Sequence, residues 1–411
     1  MIESVGATRR ELLLFIAAIG AVGLLAAALA LHMVMETGGT NSFALVAESF
    51  LKGQPFVERC FDGDCARRGG HLYVVFPPLP GVVAMPLVAA FGVETRGFTV
   101  IGLAALALSL WLWNRIFARA GVGRDSRIWL LIAIACASPL FYVAFRSDKI
   151  WFFAQVLAFP LVTLALHEAQ ARRCVTAGLA IGLAFLCRQM SIFYAPIVLA
   201  MLFRPGEPFF AVTRERLTWT LRIALPVLAA LAAYFAYNIW RFGNPLDTGY
   251  NDIAFEPGML LERVTQYGLW NRAYLVFNAF YLFLQGFHAT FTGPGLIRLG
   301  GMDSAGTGIL AASPWLLFLV FTPRRGLHAL GLALIVGLSA VLLFYHSNGF
   351  SQYNTQRYIL DWLPVALLML AAVFREGRLQ PDARLVFKVL VLWGVLLNVA
   401  TVGVLVLTHA A

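Results

Sequence analysis

Apolar windows of about twenty residues, the length a helix needs to cross a bilayer's hydrocarbon core, recur from residue 12 to residue 408. A chain patterned this way has few options, because lipid offers no partner for backbone N–H and C=O groups and only structures that pair them internally can span it. Charged residues make up 13% of the chain, against roughly 25% in soluble domains. No stretch between the windows is long enough for a separate soluble domain. The expected fold class is therefore all-α, a polytopic membrane protein forming one integral domain over residues 1–411.

About eleven spans can be marked, at 12–35, 97–114, 128–145, 151–170, 174–187, 189–203, 218–240, 304–322, 327–346, 358–374 and 385–408. Arg9 and Arg10 precede the first, and no small-residue cleavage site follows it, so it reads as a retained helix with a cytoplasmic N-terminus. With that end inside, the connections RIFARAGVGRDSR, ARR, RPGEPFFAVTRERLTWTLR, TPRRG and REGRLQPDARLVFK also fall inside. They hold most of the 31 basic residues, as orientation by basic loops requires. The net charge of +10 is thereby explained by topology, and no nucleic-acid partner is expected.

The outer face then carries two long loops, about 36–96 and 241–303, and two short turns, FRSDKI and HSNGFSQYNTQRY. The long loops are rich in aromatic and apolar residues, so they should fold against the membrane face as juxtamembrane structure. Ser42 to Leu51, Pro78 to Phe91 and Asn271 to Leu284 each read as an interfacial helix, the first of them amphipathic. Counting HLYVVFPPLPGVVAMPLVAAFG as a span would put RIFARAGVGRDSR outside, against the charge rule. Pro77 and Pro78 suit a helix start and Gly92 a helix end. That segment is expected to form part of the wall or floor of an outer cavity.

Ionisable residues near the membrane are costly unless they serve a purpose. Arg188, between the fifth and sixth spans, is placed either to bind a lipid phosphate through paired hydrogen bonds or to snorkel to the interface. Arg357 opens the tenth span beside Tyr358, and its spacing permits an i, i+4 pair with Asp361. In the turn FRSDKI, Asp148 could be a desolvated base or simply pair with Arg146 or Lys149. Glu36 and Glu48 could face a cavity beneath the first loop, and Asp247, Tyr250 and Asn251 suit sugar binding or ordinary turns. Asp62 and Asp64 form a weak D-x-D signal for a divalent cation. Cys60 and Cys65 flank them, either as a disulfide, if the loop faces an oxidising compartment, or as two free thiols. No H-E-x-x-H, Walker-type glycine loop or G-x-S-x-G is present.

The segments AESFLKGQ (47–54), GHLYVVFPPLPGVVAMPLVAAFG (70–92), GLAIGLAFLCRQ (178–189), RFGNPLDTGY (241–250) and QRYILDWLPVALLML (356–370), in that order, resemble the GT-C membrane glycosyltransferases. The nearest flavour is the clan of protein mannosyltransferases and aminoarabinose transferases. The resemblance implies a polyprenyl-phosphate-linked sugar donor, a cavity at the outer face, a donor phosphate held by Arg188 and Arg357, and an acid of the first loop that deprotonates the acceptor. Where many members carry an acidic pair before the first amphipathic helix, this chain has Thr40 and Asn41. Asp148, then Glu36, then Glu48 are the replacements for that base, in order of preference.

The leading expectation is thus an inverting glycosyltransferase of a bacterial-type inner membrane, acting in the cell envelope on an unknown acceptor. The alternatives are a transporter or flippase of a lipid-linked sugar, and a non-catalytic subunit that binds one. No internal repeat is visible, and the candidate groups cluster at one surface rather than at mid-membrane, which argues against transport.

Overall fold

The computed structural model describes residues 41–203, 208, 211–255, 257–303, 305–324, 326–347, 356–375 and 378–409. The first expected span, with Arg9, Arg10, Glu36 and Thr40, lies outside the described residues. The remainder is mostly helical. Two short antiparallel hairpins depart from the all-α expectation, Cys65–Arg68 with His71–Val74 and Ala289–Thr292 with Arg298–Met302. They lie in the two long loops, 36–96 and 241–303. The first turns on Gly69 and Gly70, at φ 57° and 80°, the left-handed pair that a two-residue hairpin turn requires and that glycine adopts without a Cβ clash.

By length and composition, Phe98–Arg119, Ile150–Gln170, Arg214–Phe242 and Pro381–Thr408 are long and apolar enough to cross a bilayer. Arg124–Cys136 and Pro139–Phe145 qualify together, bent by 50°. The bend has a local cause: Ser138 is extended, as a residue before proline prefers, and its hydroxyl caps the second piece at the Leu140 N–H, 3.1 Å away. The other expected spans are shorter or broken. Cys174–Phe185 extends about 18 Å at 1.5 Å per residue, less than the ~30 Å hydrocarbon core. A 3₁₀ turn, Gln189–Tyr194, follows and leads into Ala195–Ala200. The expected span at 304–322 is broken at Ser313, again before a proline, into Ile309–Ala312 and Pro314–Phe321. Leu327–Leu343 is continuous, whereas Leu363–Val373 is preceded by a separate 3₁₀ turn, Arg357–Asp361.

The Ile150–Gln170 helix is the most enclosed, with 78% of its apolar window buried, and it packs against Phe98–Arg119 and Cys174–Phe185. Cys174–Phe185 in turn lies on Arg214–Phe242 through Gly178 and Gly182, one turn apart on the same face. Small residues at this spacing let two backbones approach closely.

Two of the interfacial helices behave differently from expectation. Ser42–Leu51 forms, but Ser42 to Ala47 and Ser49 are all buried, so the helix is covered rather than amphipathic. The cover is Leu79–Phe91, whose Gly81 crosses at Val46. This second helix begins after Pro78 and ends at Gly92, and its first amide bonds the Leu186 carbonyl at 3.0 Å. It buries Pro80, Gly81, Ala84 and Val88 along one side and exposes Phe91. In the second loop the segment Arg272–Leu284 is helical, with Asn278 fully buried. The Asn278 amide donates to the carbonyls of Leu342 (3.0 Å) and Tyr345 (2.8 Å), satisfying groups that a helix end leaves unpaired.

A Cβ at position 178 would fall onto the Ile223 carbonyl oxygen. Gly178→Val is therefore expected to destabilise the protein by roughly 1–3 kcal/mol, the usual cost of overpacking, and thermal unfolding in detergent should show a lowered Tm, whereas Gly337→Ala, with open space around it, should not.

Candidate functional site

The acidic part of the site is built from a ring of six residues. Cys60 and Cys65 form a disulfide, so the chain between them, Phe61–Asp62–Gly63–Asp64, is a closed loop with Gly63 at φ 73°. Cys65 also begins the first hairpin, which fixes one end of the ring. The other end is tied to Ser42, whose hydroxyl accepts the Phe61 N–H at 3.1 Å, while the Ser42 N–H donates to Asp62 Oδ2 at 2.9 Å. Asp62 Oδ1 is buried and has no hydrogen-bond partner among the described residues. Nor does any described residue hydrogen-bond the Asp64 carboxylate, which faces a cavity.

The basic part comes from two separate breaks in the helical pattern. Arg188 stands in extended backbone between Cys174–Phe185 and the 3₁₀ turn that follows. Its Nη2 donates to Asp361 Oδ2 at 2.7 Å and its Nε to Asp361 Oδ1, a two-pronged pair. Arg357, 6% exposed, leaves Nε without a partner. The expected Arg357–Asp361 pairing therefore does not form. The physical reason is the 3₁₀ geometry of Arg357–Asp361: at three residues per turn the residue above position i is i+3, so i+4 points away. Tyr358 stands between the two cations, its ring centroid 5.0 Å from Arg188 Cζ and 4.6 Å from Arg357 Cζ.

These groups share one cavity of about 610 Å³, within the range of small-molecule sites. Asp62, Asp64, Arg188, Arg357, Tyr358 and Asp361 are among its polar lining. Leu260, Leu269, Leu338, Val341 and Leu342 add aliphatic surface, and Trp151, Trp270 and Tyr345 add aromatic surface. The second long loop joins its lining: Trp270 pairs with Tyr345, and the His346 N–H donates to the Leu269 carbonyl at 3.0 Å. Arg68 on the hairpin grips this loop, binding Asp247 at 2.6 Å and also Asp252. Arg241 donates to the Val74 carbonyl at 2.6 Å, so both loops and the Arg214–Phe242 helix are locked together.

The residues expected from sequence separate into two groups. Arg188, Arg357, Tyr358, Tyr250 and Asn251 line the cavity, and so do the D-x-D residues Asp62 and Asp64. Asp148 does not: it is buried and held by Arg146 Nε and Nη2 at 3.0 and 3.3 Å. Glu48 pairs with Lys52 at 2.9 Å on the surface, away from the lining residues, and Lys149 is also outside the lining. Asp247 serves Arg68, and Glu36 is outside the described residues. Of the apolar stretch 71–92, Phe76 alone reaches the cavity, because the helix after it faces Ser42–Leu51 instead. Asn41, where the resemblance leads to an acidic residue, caps that helix through the Phe43 N–H (2.9 Å) and donates to the Ser147 carbonyl (3.0 Å). Among the described residues no group of three or more His, Cys, Asp or Glu side chains could hold a metal ion. Asp361 was visible in the sequence only as a partner for Arg357, and the cysteine-flanked D-G-D was the signal for the acidic ring.

No protein-family model matches the sequence, and no curated protein does. Solved structures do. The chain is similar to ArnT from Cupriavidus metallidurans bound to undecaprenyl phosphate, with 15% identity and a TM-score of 0.52 over 95% of this chain and 77% of that one. The same protein in the apo state gives 16% identity and a TM-score of 0.46 over 90% of this chain, which spans 62% of that one. The chain thus shares the fold of that ArnT structure.

Burial and proximity decide the protonation of the ring. Loss of water raises the Asp64 carboxyl from its ordinary value to about 7, with the neighbouring Asp62 adding to the rise and Arg357 opposing it. Burial likewise raises Asp62 to about 6 against the Ser42 hydrogen bond and the Lys149 charge. Asp64 is surrounded by protein yet keeps contact with the cavity, so it is half-buried by surface area. Burial also raises the Tyr250 phenol, which stays protonated and able to donate. For a carboxyl raised on folding, the stabilisation is complete below the unfolded value and is lost as pH climbs through the folded one. Asp64→Asn should therefore melt at higher temperature than the parent at pH 8, by several °C, with the gap narrowing as pH falls and closing only at about pH 4, as read by thermal unfolding in detergent.

Proposed function

We propose that this protein is a GT-C-type glycosyltransferase that moves a sugar from a polyprenyl-phosphate-linked donor to an acceptor hydroxyl at the outer face of a bacterial-type inner membrane. The observation that carries the proposal is one cavity whose lining combines two arginines and three carboxylates with a set of aliphatic side chains. A lipid-linked sugar has the same division, with an anionic phosphate between a polar sugar and an apolar chain. The fold likeness to ArnT bound to undecaprenyl phosphate supports a polyprenyl phosphate as the lipid. The basic bias of the connections assigned inside, and a disulfide in the first loop, support the outer face.

In the proposed reaction, Asp64 accepts the proton of the acceptor hydroxyl. The hydroxyl oxygen attacks the anomeric carbon, the bond from that carbon to the phosphate oxygen breaks, and the polyprenyl phosphate leaves with the electron pair. One displacement inverts the anomeric centre. Arg357 meets the charge developing on the phosphate, since its guanidinium is not committed to a carboxylate in the described structure. Arg188 adds its remaining N–H groups, two of its five donors being occupied by Asp361. Buried donors aimed at developing charge are commonly the largest contribution to catalysis.

Reconstituted protein supplied with a panel of polyprenyl-phosphate sugars should transfer sugar to an acceptor lipid or protein fraction. Arg357→Ala should reduce turnover about 100-fold or more, and Asp64→Asn about 100- to 10,000-fold. The pH profile of kcat/KM should rise through about 7, and in Asp62→Asn the rising limb should shift to lower pH because a neighbouring negative charge is gone. Full activity of Asp64→Asn would remove Asp64 as the base. Movement of labelled lipid-linked sugar across vesicles with no transfer product would favour the transporter reading instead.

A further inference from the structure

The ring closed by Cys60 and Cys65 carries two of the three cavity carboxylates, Asp62 and Asp64, whereas neither arginine belongs to it. Arg188 is placed by the end of Cys174–Phe185 and by Asp361, and Arg357 by a 3₁₀ turn whose Arg357 carbonyl accepts a hydrogen bond from Gln155 at 3.0 Å. The two halves of the site thus hang on different supports. On the acidic side, Asp62 has the Ser42 N–H, but Asp64 has no hydrogen bond to any described residue. What keeps Asp64 against the cavity is the closure of the loop: Cys65 follows it directly, is 3% exposed and starts the hairpin, and the disulfide returns the chain to Cys60. A six-residue segment with glycine at its centre would otherwise sample many conformations, because glycine restricts the backbone least. Closing such a loop covalently removes most of them.

We propose that the Cys60–Cys65 disulfide is a positioning element of the transfer reaction, holding Asp64 beside the phosphate-binding arginines, so that opening it abolishes transfer while leaving the lipid-phosphate site intact. This rests on the proposed glycosyl transfer for its activity readout, and a binding readout tests it separately. Tris(carboxyethyl)phosphine opens the bond: the two sulfurs take up two electrons and two protons, and the phosphine becomes its oxide with oxygen from water.

Two measurements on the full chain in detergent or nanodiscs, each with and without the phosphine, test the idea. In the first, sugar transfer by the parent should fall at least tenfold on reduction, while undecaprenyl-phosphate affinity is not lowered and at pH 8 rises several-fold as the Asp64 charge leaves the phosphate. Cys60→Ser/Cys65→Ser should be as slow as the reduced parent and indifferent to the phosphine, which excludes an effect through Cys136, Cys174 or Cys187. Equal rates for oxidised and reduced parent overturn the proposal, as does a parallel loss of transfer and lipid-phosphate binding, which would mean a merely structural bond. The second measurement needs no turnover. Asp64 is faced by Asp62, Arg357, Tyr250 and Tyr345, and at pH 8 its negative charge opposes that of a bound phosphate. Asp64→Asn should therefore raise undecaprenyl-phosphate affinity several-fold in the oxidised protein and leave it unchanged in the reduced one. An equal effect in both redox states overturns the positioning role, even if no donor sugar is ever transferred.

Discussion

A guanidinium surrounded by protein is tolerable only where an opposite charge or a ligand meets it, because the surroundings answer charge far less well than water does. Arg188 meets this constraint through Asp361. That choice propagates. It draws the turn 357–361 against the end of Cys174–Phe185, places Tyr358 between two cations, and leaves Arg357 without a carboxylate among the described residues. One arginine is thereby neutralised and fixed, and the other keeps an unmet charge facing the cavity. A site so arranged has an opening for one anionic group and a rigid neighbour to orient it.

The cover of the cavity follows a similar economy of joints. Arg68 holds two aspartates of the second loop, Arg241 ties the first hairpin to a long helix, and Asn278 ties the second loop to the end of Leu327–Leu343. None of these three lines the cavity. They matter because loops carry the site's polar groups, and loops hold a geometry only where their own hydrogen bonds are met.

Much of the scaffold was legible in the sequence because long apolar windows and short basic loops are local signals. Ser42–Leu51 was readable to the residue, and the helix after Pro78 nearly so. The breaks at Ser138, Ser313 and Trp362 were harder, since each lies inside a window whose hydropathy alone suggests continuity, although Pro139, Pro314 and Pro364 mark them. Arginines 188 and 357 were found because charge is rare at membrane depth. The acids were harder to place. Asp148 reads equally as a desolvated base or as a partner of Arg146 or Lys149, and the structure pairs it with Arg146. Asp62 and Asp64 looked like turn residues, and they are; only tertiary structure shows that the turn is folded into the cavity.

Asn41 has a further meaning. It caps the Ser42–Leu51 helix and reaches the turn before Asp148 with an amide that carries no charge at any physiological pH. The cap itself therefore stays uncharged throughout that range. The next amide does not share that independence, because the Ser42 N–H donates to Asp62, whose carboxyl burial raises to about 6, so the start of this helix holds one pH-independent anchor and one that changes with protonation.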